Sequence, residues 1–423
     1  MLFWSSVANS YGGIARVPLK GRQVFLVSDP DLLYELLVTK RRRYRKNVRY
    51  QAAIDTFGEG LLLSEGESWN RQRLITQPAF RNDYIRSQVP SMAAITTRYL
   101  DEWASASSNG VLTRDVEVDF LKLTQTLAGH YLMGPGFAAI DERFHAAAIA
   151  IKNNWPIPPR SVLALYKPKG KKRQTEFDAA IRAADACIFE YLEAQKKTDF
   201  EDAGVMSLLV HKSREQGDEY DAKSLRDQFM SLFFAGHETS AMSLAWAHYL
   251  LWQHNHARAK LKQEVDTVLG TREPAAEDVD QLKFTECVLN ETLRLYSPIH
   301  SISRVALEED ALGGYTIPAG AMIYISLYAI HRLPAIWPNP DDFDPERFLP
   351  ERSVGRPRFA FIPFAAGHRN CIGASMAVVE LKLVIALIAQ RFVLDLAPGH
   401  KVRTSAETTM RPRYGMRMTI RER

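Results

Sequence analysis

Residues 364–373 carry the residue types and spacing with the clearest chemical meaning in the chain. The segment reads Phe364-Ala-Ala-Gly367-His-Arg369-Asn-Cys371-Ile-Gly373 and precedes a long apolar stretch. A thiolate near a helix N-terminus is stabilised by the helix dipole and by unpaired backbone N–H groups. Gly367 permits the tight loop that aims those groups at the sulfur, and Gly373 leaves room for a flat cofactor. Arg369 offers a forked donor to a carboxylate. The segment therefore predicts a stabilised thiolate at Cys371.

The other two cysteines, Cys187 and Cys287, show no such surroundings. A lone cysteine is most often a buried structural residue, and we expect that role for both. The chain has three cysteines, an odd number, with no pair at short spacing. This pattern argues against a disulfide framework and favours a reducing cytoplasm.

A second segment, Ala235-Gly236-His237-Glu238-Thr239-Ser240, lies inside the longest helical pattern. A glycine in a helix interior costs about 1 kcal/mol relative to alanine, so Gly236 needs a reason. We expect it to open a groove in which Thr239 donates a hydrogen bond and to which Glu238 relays protons. The alternative is a threonine bonded to its own helix. His237 is interpreted as structural or pocket-lining.

Two further pairs of residues give little evidence of a site by their spacing alone. Trp69 and Arg73 place an indole N–H and a guanidinium one helical turn apart, which suits a carboxylate. Glu291 and Arg294 place opposite charges three residues apart on one helix face. Such pairs are common, so neither spacing predicts a site without further context.

The elements that must position these residues follow from hydrophobic periodicity. Residues 13–28 predict a hairpin, and most segments from about 29 to 300 predict helices. The longest helix, over 221–253, would extend roughly 45–50 Å. Residues 301–330 predict a second small strand region, and 371–391 predict a final buried helix that is apolar nearly all round. The expected fold class is mainly α with a small β region.

Composition excludes several classes of protein. The 423 residues are 46% hydrophobic and 24% charged, with 54 basic and 49 acidic side chains and a net charge of +5. This balance does not predict nucleic-acid binding. The basic run over residues 40–46 predicts a solvated face, with docking of an acidic partner or membrane surface as the alternative. Residues 1–10 are too few and too polar for a signal peptide or a spanning helix. We expect no membrane span and a cytoplasmic location.

Taken in this order, the segments resemble the cytochrome P-450 superfamily. The five fixed positions of the sulfur loop match its haem-binding loop, and the small-Gly-any-acid-Thr order of residues 235–239 matches its central helix. The resemblance covers residues from about 12 to the C-terminus. It implies one cytochrome P-450 domain over residues 1–423, with haem b between the long central helix and the Cys-loop helix. Since few residues precede the first strand, we expect the N-terminal helix to be short or missing.

The resemblance also implies a role for individual residues. Cys371 would ligate the haem iron, and Thr239 and Glu238 would be the catalytic pair. The Pro345-Glu-Arg347-Phe segment would complete a structural ion triad with Glu291 and Arg294. The remaining residues expected to contact the cofactor, several through its propionates, are Trp69, Arg73, Gly236, Arg304, Phe364, Gly367, Arg369 and Gly373.

The implied activity is insertion of one oxygen atom from O₂ into an apolar substrate of the fatty-acid, terpenoid or polyketide type. Electrons would come from NAD(P)H through separate ferredoxin- or flavodoxin-type partners, docking near Arg71 and His368 on a monomeric chain. Alternatives are a peroxide-driven hydroxylase or isomerase on the same fold and a haem-binding sensor without turnover. The expected pocket residues are Trp155, Ile157, Val162, Leu163, Phe233, Ile299, Ile302 and Met410.

Overall fold

The computed structural model describes residues 1–19, 22–47, 51–155, 171–201, 204–215, 217, 220–406 and 408–423. Its contacts divide the chain into two compact units. The first contains residues 1–47, 89–120 and 239–423, and the second contains residues 48–88 and 121–238. Two helices, α7 and α11 as bounded below, contribute residues to both units.

Helices account for most of the described chain, which confirms the predicted class. The helices are α1 (Leu2–Tyr11), α2 (Pro30–Tyr34), α3 (Gln51–Phe57), α4 (Gly66–Thr76), α5 (Asn82–Ser87), α6 (Val89–Ala106), α7 (Val116–Met133), α8 (Asp141–Asn154), α9 (Lys171–Gln195), α10 (Gly204–Glu215), α11 (Ala222–Gln253), α12 (Asn255–Val268), α13 (Asp278–Gln281), α14 (Lys283–Leu295), α15 (Leu327–Ile330), α16 (Pro350–Ser353) and α17 (Ala374–Arg391).

The strands are short and lie in the first unit. They are β1 (Ile14–Leu19), β2 (Arg22–Val27), β3 (Tyr44–Lys46), β4 (Val111–Asp115), β5 (Ser301–Ala306), β6 (Asp310–Leu312), β7 (Tyr315–Ile317), β8 (Met322–Ser326), β9 (Phe392–Leu396), β10 (Thr404–Ala406), β11 (Met410–Pro412) and β12 (Arg417–Glu422).

A five-stranded sheet in the order β1-β2-β8-β5-β3 supports the region before the sulfur loop. Its buried face includes Phe25, Val27, Ile323 and Ile325, and Phe359 and Ile362 pack against the same core. Burial of these side chains fixes the chain leading into residues 364–373. A three-stranded sheet, β4-β12-β9, holds the chain that follows α17.

The long helix α11 matches its predicted bounds within one residue. Asp221 caps its start, because the Asp221 carboxylate accepts from the Ser224 N–H at 2.7 Å. The helix passes from the second unit into the first between Glu238 and Thr239. Glu238 is therefore the last residue of α11 in the second unit, and Thr239 is its first residue in the first unit.

Most predicted elements are confirmed, with two corrections. The hairpin and the strands of 301–326 are present, and the Gly313-Gly314 turn joins β6 to β7; the predicted Lys20-Gly21 turn lies outside the described residues. The final helix begins at Ala374 instead of Cys371. The Cys371 N–H donates to Phe364 O, so Cys371 belongs to the sulfur loop and the helix starts after it. Strands β9 to β12 have no counterpart in the sequence prediction.

A ten-residue helix, α1, precedes the first strand, so a helix is present at this position. Its Trp4 stacks on Tyr324 of β8 with ring centroids 4.3 Å apart. Among the described residues, every helix is too short or too polar to cross a membrane.

Candidate haem-thiolate site

The sulfur loop is a turn with two residues in the left-handed backbone region. Gly367 has φ +73° and Ala365 has φ +56°. A Cβ at Gly367 would collide with the Leu37 carbonyl oxygen, so only glycine fits there. The Cys371 N–H donates to Phe364 O at 2.9 Å and closes the loop across seven residues. Backbone strain of this kind is retained where the surrounding structure fixes it, often at functional sites.

Cys371 differs from the other two cysteines in its exposure to solvent. Cys371 is exposed at the surface of the loop, whereas Cys187 and Cys287 are buried. Burial raises the pKa of Cys187, and it raises the pKa of Cys287 to about 11. Those two side chains therefore remain protonated thiols, as expected of structural cysteines. Cys371 has the accessible sulfur that a ligand to an external metal requires.

The backbone on the N-terminal side of the loop is held by a buried histidine. Ile362 N–H donates to His331 Nε2 at 3.0 Å, and the His331 ring packs 5.3 Å from Phe361. Burial lowers the pKa of His331 to about 3, so Nε2 stays an acceptor at neutral pH. The sequence gives no signal for this contact, because 31 positions separate the two residues.

The ion triad implied by the resemblance is confirmed. Arg294 Nε lies 2.6 Å from Glu291 Oε2, and Arg347 Nε lies 3.3 Å from Glu291 Oε1 as an ion contact without hydrogen-bond geometry. Glu291 and Arg294 have no exposed surface. Arg294 also donates to three backbone carbonyls of residues 331, 340 and 342. The triad thus ties α14 to the irregular segment before the sulfur loop.

Arg347→Ala is expected to destabilise the fold by about 3–5 kcal/mol, since it leaves the Glu291 carboxylate buried with one fewer cation. Denaturant unfolding and haem content after purification measure this effect. Arg143→Ala, which breaks an exposed pair with Glu190, is the matched control and should change little. A fully stable, haem-loaded Arg347→Ala protein would contradict the structural role.

Helix α11 has a surface notch in its interior. Ala235 and Gly236 are exposed, although Phe233 and His237 on either side are buried. A Cβ added at Gly236 would meet no described atom outside its own helix within 4 Å. Packing therefore does not explain this glycine, and open space beside the helix does. The finding agrees with the predicted groove.

Side chains donate to several backbone carbonyls around the notch. Thr124 Oγ1 donates to His237 O at 2.9 Å, and Ser243 Oγ donates to Thr239 O at 2.8 Å. His237 Nδ1 lies 2.8 Å from Phe233 O. Such a carbonyl accepts both the side-chain donor and the helical N–H. The second donor weakens the helical hydrogen bond at that position. Burial lowers the pKa of His237 to about 4, so its ring is neutral at pH 7.

Glu238 forms an ion pair that the sequence did not indicate. Its Oε1 lies 3.1 Å from Lys152 Nζ on α8. The two side chains are 18% and 25% exposed, so the pair is reachable from solvent yet close to the notch. A carboxylate with this mixed environment suits the transfer of protons between water and an interior hydroxyl.

The candidate propionate contacts lie on three elements. Trp69 is buried on α4, and the Arg73 guanidinium carbon lies 6.0 Å from its ring centroid. Arg304 is buried on β5 and donates to Ser303 O at 3.0 Å. Arg369 lies in the single turn Gly367–Arg369 of the sulfur loop. All four side chains can donate N–H groups, which is the donor chemistry that a carboxylate accepts.

The predicted site residues divide between the two units. Gly236, Glu238, Trp69 and Arg73 belong to the second unit. The others belong to the first: Thr239, Arg304, Phe364, Gly367, Arg369, Cys371 and Gly373. Within the first unit, the sulfur loop residues form one local structure that leads directly into α17.

The expected pocket residues are partly described. Trp155 stacks on Phe57 with centroids 5.3 Å apart, and Phe233 is buried among Phe144, Phe229 and His237. Met410 is buried, and Ile299 and Ile302 are half-buried. Ile157, Val162 and Leu163 lie outside the described residues.

The donor set fits a haem better than a directly bound metal. Among the described residues, no group of three or more His, Cys, Asp or Glu side chains is placed to hold a metal ion. Within the first unit, the exposed Cys371 thiol would ligate a haem iron, and the N–H donors of Arg304 and Arg369 suit the carboxylates that haem carries.

Comparison with known proteins agrees with this arrangement. The family model of cytochrome P450 matches residues 2–420, and the chain belongs to that family. A solved structure, the heme domain of cytochrome P450DA, matches with a TM-score of 0.85 and 26% identity, covering 97% of this chain and 90% of that one. The fold is that of a cytochrome P450, and the family implies a haem cofactor.

Two relatives from Streptomyces melanosporofaciens extend the comparison. Cyclooctatin synthase is 32% identical, covering 95% of this chain and 87% of its own length. Cyclooctat-9-en-7-ol 5-monooxygenase is 30% identical, covering 92% of this chain and 84% of its own length. Family membership together with these relatives identifies the chain as a cytochrome P450 monooxygenase.

Proposed function

We propose that the protein inserts one oxygen atom from O₂ into a C–H bond of an apolar organic molecule of the terpenoid, fatty-acid or polyketide type. The balanced reaction is RH + O₂ + 2e⁻ + 2H⁺ → ROH + H₂O. The observation that carries the proposal is the exposed Cys371 on its closed loop, together with the acid–alcohol pair of α11. The Streptomyces relative named for cyclooctat-9-en-7-ol makes that alkenol the first substrate to try.

In this proposal Cys371 holds haem b, and a thiolate-bound haem supplies the activation of O₂. Arg304, Arg369, Trp69 and Arg73 donate hydrogen bonds to its propionates. The Thr239 hydroxyl holds a water in the Gly236 notch and presents a proton there. The whole of residues 1–423 acts as one haem-binding domain.

Glu238 resupplies the proton that Thr239 passes on. Its contact with Lys152 keeps the carboxylate near the surface, where it exchanges protons with water. Two protons are consumed for each product, so every turnover depends on this supply.

Glu238→Gln is therefore expected to slow turnover by about 10²-fold, within the range that general acid–base assistance provides. Product formed per NAD(P)H should fall much less than the rate, because the Thr239 hydroxyl is intact. Glu190→Gln, at an exposed ion pair, is the matched control. An unchanged rate in Glu238→Gln would remove this residue from the proton path.

The electrons come from NAD(P)H through a separate ferredoxin- or flavodoxin-type protein. The exposed side chains of Arg71 and His368 support docking of an acidic partner. We place the enzyme in the cytoplasm as a monomer.

The test combines a spectral screen with turnover. Cyclooctat-9-en-7-ol, dodecanoic acid and a macrolactone are added to the purified haem protein while the spin state of the iron is followed. Any ligand that shifts it is then supplied with O₂, NAD(P)H and generic redox partners, or with hydrogen peroxide alone. Oxygenated product only with O₂ and NAD(P)H supports the proposal. Product only with peroxide favours the peroxide-driven alternative, and haem binding without product favours a sensor.

A further inference from the structure

A cavity lies between two stretches of chain near the C-terminus, 397–403 and 414–417, with Thr113 of β4 beside them. Its volume is about 670 Å³, and all of its lining residues belong to the first unit. Contacts join the two stretches at three levels. The N–H of residue 397 donates to the carbonyl of residue 417 at 3.0 Å, the His400 ring lies 3.1 Å from Gly415 O, and the N–H of residue 413 donates to the carbonyl of residue 403 at 2.7 Å. Hydrogen bonds therefore fix the walls of this cavity, which we call the basic cavity after the side chains that line it.

The side chains of the basic cavity carry positive charge without a matching negative charge. Lys401, Arg403 and Arg417 line it and are exposed, and none of its described lining residues is acidic. Arg413 adds a fourth cation beside it, where its guanidinium carbon lies 5.6 Å from the ring centroid of the lining residue Tyr414. Within the part of the chain that the structure describes, none of these four cations forms an ion pair. Like charges held around one concavity repel each other, so a bound anion would stabilise this arrangement.

The acidic side chains of the neighbouring strands do not supply that anion. Asp115 of β4 accepts from the Met416 N–H at 2.8 Å, so its carboxylate is occupied by backbone. Asp395 of β9 pairs with Arg258 at 2.6 Å. Glu422 lies at the far end of β12. The basic cavity therefore keeps an excess of positive charge.

We propose that the basic cavity binds an oligophosphate anion, such as a diphosphate group. Arg403 and Arg417 carry planar guanidinium forks that match phosphate oxygens, and the Lys401 ammonium supplies a point charge. The hydroxyls of Thr113 and Tyr414, which also line the cavity, offer further donors. Small ligands occupy concave sites of about 300–1,000 Å³, whereas a bilayer surface would meet only the rim of such a cavity. The inference concerns a second site and does not depend on the proposed oxygenation.

The experiment titrates inorganic pyrophosphate into the haem-loaded protein by calorimetry, at about 0.15 M ionic strength, where distant surface charges are screened. Pyrophosphate should bind one-to-one, and Tm should rise with its concentration, because a ligand of the folded state stabilises that state. Arg403→Gln with Arg417→Gln should weaken binding on the order of 10²-fold, since a hydrogen bond between charged groups contributes about tenfold or more. Lys401→Gln should weaken it about tenfold and repeats the test should the double variant fold poorly.

A charge-matched pair outside the cavity is the control. Arg41→Gln with Arg42→Gln removes two exposed cations of the same unit that do not line the basic cavity. This variant should bind pyrophosphate as the parent does. Sulfate at the same ionic strength should bind more weakly than pyrophosphate, because it offers one tetrahedral group instead of two.

Four results would overturn the inference. The first is no binding of pyrophosphate to the parent, and the second is parental affinity in Arg403→Gln with Arg417→Gln. The third is an equal loss in Arg41→Gln with Arg42→Gln, since general surface charge would then explain the binding. The fourth is binding to vesicles of phosphatidylglycerol and phosphatidylcholine in equal parts without binding of pyrophosphate, which would assign these cations to a membrane surface. None of these measurements needs turnover, so a failure of the proposed function leaves the test of the basic cavity intact.

Discussion

Cys371→His is expected to retain the fold but lose the long-wavelength carbon-monoxide band of a thiolate-bound haem. The band should move to the shorter wavelength typical of imidazole-bound haem, since the axial ligand sets the electronic properties of the iron. Product formation with O₂ and NAD(P)H should fall to background, because imidazole gives the iron less electron density than a thiolate. The reduced carbon-monoxide difference spectrum measures the first effect, and product analysis measures the second.

The other cysteines provide matched controls for this substitution. Cys187→Ser and Cys287→Ser change sulfur to oxygen at buried positions, where the thiols are protonated. Both variants should keep the thiolate band, although burial of a hydroxyl can lower their stability. A thiolate band that survives in Cys371→His would mean that another sulfur holds the iron, and the site would have to be reassigned.

Local patterns made much of this fold predictable. The sequence predicts helix α11 within one residue, because a helical periodicity sustained over its 32 residues has few other interpretations. Strands β10 and β11 have three residues each, which is too short for a periodicity of two to stand out. The left-handed backbone at Ala365 was also unpredictable, since alanine gives no signal for that conformation.

The site was predictable only where its residues are close in sequence. The sulfur loop and the 235–240 segment are local, so their spacing was informative. The contact of Lys152 with Glu238 joins residues more than 80 positions apart. Long-range pairs of this kind depend on the packing of whole helices. The ion triad was expected from the family resemblance, since the spacing of Glu291 and Arg294 alone indicated only a helix-surface pair.

Thr239→Ala is expected to bind substrate, accept electrons and consume O₂, while its yield of product per NAD(P)H collapses. The proposed reaction needs two protons for each product and water formed, and we propose that they are delivered beside the Gly236 notch. Without the Thr239 hydroxyl, the water that presents those protons is no longer held in place. The electrons are then spent on O₂ + 2e⁻ + 2H⁺ → H₂O₂. General acid assistance is worth roughly 10²–10⁴-fold in such a step, so peroxide release should dominate.

The controls for Thr239→Ala separate catalysis from helix structure. Thr239→Ser keeps the hydroxyl and should remain coupled. Thr292→Ala removes a buried threonine whose hydroxyl donates to Val288 O of its own helix at 2.8 Å, which is the structural role that Thr239 would otherwise have. Thr292→Ala should change stability but not the ratio of product to peroxide.

NAD(P)H oxidised, product formed and peroxide released are measured in one reaction. If Thr239→Ala couples as well as the parent, the hydroxyl is structural, and the proton must reach the Gly236 notch from another group.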